Sequence, residues 1–201
     1  MSARLTYQRD EALRTRINKF LQEAFNLPAD DYYAKLDVKK LLGMKAALSD
    51  INNVLTMRLT LGFVEWAGTI LALDTAATSE LYAKVLISKP SANGYDVYCS
   101  TPVAFVAEVK CNLPVNGGAR YGAAQRKGIL RDLEALRRGK SKARQVSSDS
   151  LKFMVFLDIP QVRGANEHFL ASMPEAIWFL NQGEKPNDPS KVYGVYVSLV
   201  A

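Results

Sequence analysis

Three residues of this chain are of the kinds, and at the spacing, that metal-assisted hydrolysis uses: Asp96, Glu108 and Lys110. Glu108 and Lys110 close the otherwise apolar run 103–111 (VAFVAEVKC), which reads as a central strand buried on both faces. Side chains alternate along a strand, so Glu108 and Lys110 share one face and Val109 points away. Charges in such a setting are expensive to bury unless they pair with each other or bind something. A carboxylate can bind a hard cation, and a neighbouring lysine can orient or deprotonate an attacking water. Asp96 brings a second carboxylate from the short strand 95–100 (YDVYCS), twelve positions before Glu108. The connection between them contains Pro102 and suits two adjacent strands joined by a tight turn. The alternative is a structural ion pair at a strand end.

The segment Gly94-Tyr95-Asp96-Val97, followed by Ala107-Glu108-Val109-Lys110, resembles the Asp…Glu-x-Lys core of the PD-(D/E)XK, or restriction-endonuclease-like, nuclease superfamily. The resemblance covers about residues 55–159 in element order: helix, three strands, helix, strand. It implies that Asp96 and Glu108 are metal ligands, joined by the Val109 carbonyl, and that Lys110 serves the nucleophilic water. Many members also place a glutamate on the helix before the sheet, which Glu65 matches, and a glutamine or lysine on the helix after it, where Gln125 and Lys127 stand. The proline of the family name is replaced by Tyr95, and Ile129 stands where a Gln-x-x-x-Tyr subgroup would carry tyrosine. The implied activity is a Mg²⁺-dependent nuclease, an endonuclease on DNA rather than RNA, with Mn²⁺ able to substitute. A non-catalytic nucleic-acid-binding or assembly module on the same fold is the alternative. A bare acid-x-lysine is weak evidence, and Asp37-Val38-Lys39 is a second, accidental instance in a helical stretch.

These residues must be positioned by the surrounding elements. Residues 9–26 place Leu13, Ile17, Phe20, Leu21 and Phe25 at helical spacing, and Pro28 follows as a stop. Helical pattern continues over 35–54, with Gly43 and Asn52-Asn53 as weak points, and over 55–73. Residues 80–88 (ELYAKVLIS) have strand composition and 90–94 turn chemistry. A helix over 121–138 ends at Gly139, and 139–150 is a polar basic connection. Strands are expected at 151–159 and 192–200, with a Pro174-kinked helix over 165–182 between them. The expectation is one α/β domain over 1–201 with a restriction-endonuclease-like core: a mixed β-sheet flanked by helices. Residues 1–54 form its N-terminal helical part, 55–159 the catalytic core and 160–201 the final helix and strand. Trp66 and Trp178 read as core, His168 as a surface helix residue, and Tyr95, Tyr98 and Tyr121 as half-buried residues or base-stacking rings.

Composition narrows the chemistry. One histidine excludes His-rich zinc sites, and two cysteines, Cys99 and Cys111, cannot build a disulfide framework. The formal charge of +6 is concentrated in residues 126–144, where Arg126, Lys127, Arg131, Arg137, Arg138, Lys140, Lys142 and Arg144 meet only Asp132 and Glu134. With Arg120 just before it, this stripe is the footprint of a polyanion partner, or else a solvated helix and loop. Gly139-Lys140-Ser141 is not a phosphate-binding loop, because no strand and no leading glycine precede it. The first residues are too charged for a signal peptide, and the apolar stretch 59–73 is too short for a bilayer and carries Glu65. A soluble, cytoplasmic protein with no membrane partner is expected. Homodimerisation would let two sites cut two strands, with the N-terminal helices as interface.

Overall fold

The computed structural model describes residues 7–89, 94–115, 118–140 and 149–200. Lys142, Arg144 and parts of the 90–94 and 139–150 connections lie outside the described residues. The chain forms two compact units, Met1–Asp50 and Ile51–Ala201, divided within a helix. The first contains α1 (Arg9–Phe25), a 3₁₀ turn (Tyr33–Lys35) and the start of α2 (Val38–Ile70). Asn26 ends α1 in the left-handed conformation at φ 51°, as helix C-termini often do. Polar ties hold this unit: the Asn18 side chain donates to Asp31 and accepts the Tyr33 amide, and Tyr33 donates its hydroxyl proton to Asp10.

The second unit is an α/β structure with a five-stranded mixed sheet. Its elements are the rest of α2, α3 (Thr75–Ile87), β1 (Val97–Cys99), β2 (Phe105–Lys110), α4 (Ala123–Arg138), β3 (Leu151–Leu157), α5 (Pro160–Leu170), β4 (Trp178–Phe179) and β5 (Val192–Val197). The strand order is β1-β2-β3-β5-β4. β1 runs antiparallel to β2, and the remaining pairs are parallel. Alternation sends Phe105, Ala107 and Val109, with Phe153 and Val155, to one face, against Phe63, Val64 and Ala67 of α2 and Leu81 of α3. Val106, Met154 and Phe156 go to the other face, against Ile129, Leu133 and Leu136 of α4 and Val162 and Ala165 of α5. The sheet therefore has a helical layer on each side. Among the described residues no helix is long and apolar enough to cross a membrane.

Three expectations are corrected. Residues 80–88 are not a strand; 80–87 lie in α3, with Ser88 as its C-cap, and the helix start is fixed by Asp74 accepting the Ala77 amide at 2.7 Å. A short apolar run does not separate strand from helix, and here the upstream cap decides. The helix expected over 165–182 instead starts at Pro160, in the first turn where a missing N–H costs nothing, and ends at Leu170. Beyond Pro174 the chain forms β4, and a Cβ at Gly194 of β5 would lie 2.6 Å from the Phe179 ring. Trp178 is 46% exposed rather than core, with Lys191 over its ring. Elsewhere Gly43 and Asn52-Asn53 do not interrupt α2, which is continuous for 33 residues.

Candidate active site

The antiparallel register pairs Val97 with Ala107, so Asp96, just before β1, stands across from Glu108. Its carboxylate is anchored there by the Val109 amide, which donates to Asp96 Oδ2 at 2.7 Å. Glu108 and Lys110 leave β2 on the face that carries Val106, the face covered by α4. The three residues singled out by spacing are thus gathered at one end of the β1–β2 pair.

Their partners differ from the expected side-by-side pairing. Lys110 reaches Asp132 on α4, and the Asp132 carboxylate also accepts from Arg131 Nε at 3.1 Å. Both ends of this pair are largely buried, with side chains 15% and 9% exposed. Glu108, 5% exposed, instead faces Lys140, whose Nζ lies 2.5 Å from its Oε1. That short ion pair is the contact that holds Oε1, which has no other hydrogen-bond partner among the described residues. Lys140 also donates to the Gly94 carbonyl and sits 5.0 Å from the centre of the Tyr95 ring. Tyr95 donates its hydroxyl proton to the Ala135 carbonyl near the end of α4, so ring and helix terminus are tied together.

The electrostatics follow from crowding. Burial, and then the charge of Asp96, push the Glu108 carboxyl up to about 7, against the pull of Lys140. Asp96 as a residue is solvent-exposed, yet atoms packed around its carboxyl raise its pKa too, against the Val109 amide and the Lys110 and Lys140 charges. Asp132 raises both. A buried carboxyl whose ionisation a neighbouring carboxylate disfavours, held among the described residues only by an ammonium, is what a bound cation would relieve. The donor set therefore fits a hard divalent ion. Among the described residues no three His, Cys, Asp or Glu side chains gather to hold a metal; Mg²⁺ commonly uses only one or two protein carboxylates.

Other expected site residues lie elsewhere. Glu65 is not brought to the carboxylates: α2 packs on the opposite face of the sheet, and Glu65 accepts the Tyr82 hydroxyl at 3.0 Å beside a separate cleft. Gln125 is spoken for at the start of α4, accepting the Gly122 amide and donating to the Leu113 carbonyl. Lys140 belongs to the site rather than to the basic surface. Of that surface, Arg120, Arg126 and Lys127 are exposed, Arg138 pairs with Glu134, and Arg137 donates to the Ala176 carbonyl. Tyr121 is buried, with its hydroxyl donating to Asn166, and does not offer a face for stacking. His168 is exposed on α5, as read from the sequence.

Sequence reasoning passed over Asp132 as a site residue and placed Lys140 in the basic stripe rather than beside Glu108. A signal for Asp132 was present: it occupies the apolar stripe of α4 between Ile129 and Leu133–Leu136, where a lone acid demands a partner. Comparison with protein-family models, with curated proteins and with solved structures finds no match to this chain.

Proposed function

We propose that this protein is a Mg²⁺-dependent nuclease, an endonuclease hydrolysing DNA phosphodiester bonds on a restriction-endonuclease-like core. The observation that carries the reading is the opposition of Asp96 and Glu108 across an antiparallel strand pair, with Lys110 next on the same face. Asp96, Glu108 and the Val109 carbonyl would hold the cation, for which Mn²⁺ is a substitute. When bound, Mg²⁺ lowers the pKa of water and offsets charge building on the phosphate. Asp96 is held for this task by the Val109 amide. Lys110 is anchored through Asp132 and orients the attacking water or the phosphate oxygen beside it. Arg120, Arg126 and Lys127 supply exposed charge for the nucleic-acid backbone, an attraction that weakens steeply with salt.

One observation favours a second reading, a nucleic-acid-binding or assembly module without catalysis: Lys110 and Glu108 each already have an internal counter-charge. Incubating supercoiled plasmid with the protein, with Mg²⁺ or Mn²⁺ against EDTA, separates the two. Metal-dependent nicking is expected, and Lys110→Ala is expected to reduce it by about a hundredfold or more while DNA binding changes little. Full activity in that variant overturns the assignment of Lys110. DNA binding without cleavage in any metal turns the reading to the binding module.

A further inference from the structure

Lys140 holds a position in the site that neither its place in the sequence nor its charge explains. It follows Gly139, whose φ of 86° ends α4 in a conformation that other residues rarely adopt. That turn carries Lys140 off the helix and back onto the β1–β2 pair. Its ammonium then meets two oxygens from separate segments, Glu108 Oε1 and the Gly94 carbonyl, above the Tyr95 ring. A carboxylate oxygen and a carbonyl oxygen are the ligand types that hard cations select. The buried Glu108 Oε1 has no partner other than this ammonium among the described residues. A metal ion in that place would meet the same two oxygens with a larger charge.

We propose that Lys140 stands in the cation position of this site, and that a divalent ion binds at Glu108 and the Gly94 carbonyl by displacing its ammonium. The inference rests on the metal-binding reading above and deepens it by naming a further ligand and an internal competitor. Charge supports the exchange. Asp96, Glu108 and Asp132 face Lys110 and Lys140, and Arg131 also pairs with Asp132, so the fully ionised cluster is balanced while Lys140 is seated and has one negative charge in excess once it withdraws. A divalent ion taking the vacated place answers that excess. The Lys140 side chain is 25% exposed, so its ammonium can leave towards solvent without crossing the core. Phosphates of a bound polyanion would offer it another partner, which couples opening of the site to arrival of substrate.

The test is a Mn²⁺ titration of the full chain without nucleic acid, followed by electron paramagnetic resonance or calorimetry. It compares the unaltered protein with Lys140→Ala, Lys140→Met and Lys140→Arg. Methionine keeps much of the apolar stem, so it guards against loss of folding in the alanine variant. The expected result is Mn²⁺ binding about tenfold tighter or more in the alanine and methionine variants, no gain in the arginine variant, and loss in Glu108→Gln. Equal or weaker binding in both neutral variants overturns the proposal and leaves the metal site standing. Absence of Mn²⁺ binding in every protein overturns the proposal and the metal-dependent reading together.

Discussion

Glu108 is a buried carboxyl opposed to Asp96, and its folded-state pKa of about 7 lies above the ordinary 4.5. The folded state therefore holds a proton that the unfolded chain releases as pH rises past 4.5. Stability must fall between these two values and level off above the higher one. For a shift of this size the loss is up to about 3 kcal/mol. Urea denaturation in EDTA is expected to show lower stability at pH 8 than at pH 5. Glu108→Gln should flatten that difference and be the more stable protein at pH 8, because a neutral amide carries no burial penalty for charge. A slope that survives the substitution would place its origin in another group. Asp96 adds to the same trend, since its carboxyl is also raised by burial. The residues that make the candidate site are thus locally unfavourable, as expected where charge is held for a ligand rather than for stability.

Between elements, the Lys110–Asp132 pair ties β2 to α4 through a partly buried contact. Removing one partner leaves the other charge without compensation, which costs more than the intact pair contributes. Asp132→Ala is expected to destabilise the protein by about 2–3 kcal/mol, less than for a fully enclosed pair because Lys110 retains some access to water. The double variant Lys110→Met/Asp132→Leu should recover most of that stability, measured by the denaturation midpoint, while remaining inactive on plasmid. A double variant as unstable as the single one would mean that α4 depends on the pair for its docking. The sequence already indicated much at this scale. The alternation in β2 identified the shared face of Glu108 and Lys110, and Gly139 marked the end of α4. The misread elements share a cause. Residues 80–88 and 174–182 are short runs with mixed patterning, and their state was set by Asp74 capping α3 in one case and by pairing of Trp178 and Phe179 with β5 in the other.

At the scale of the molecule, buried side chains are distributed unequally between the two units. None of the described residues from 7 to 50 is buried, whereas β2, β3 and β5 carry nearly continuous buried runs. Protection against hydrogen exchange follows buried packing and hydrogen bonding. Amides of β2, β3 and β5 are expected to exchange slowest, and those of α1 first among the long helices. Slow exchange throughout α1 would indicate burial by an added contact, such as a second copy of the chain.

What the sequence determined on its own is what depends on local period and residue type. Strand alternation put Glu108 and Lys110 on one face, the spacing to Asp96 suited an adjacent strand, and the charge count located the basic segment. Which charge meets which was decided by tertiary structure alone. Those distances depend on how α4 docks and on the turn at Gly139, which together assign Asp132 to Lys110 and Lys140 to Glu108. The same packing excluded Glu65, because a helix acid reaches a site only from the face its helix covers, and α2 covers the other one.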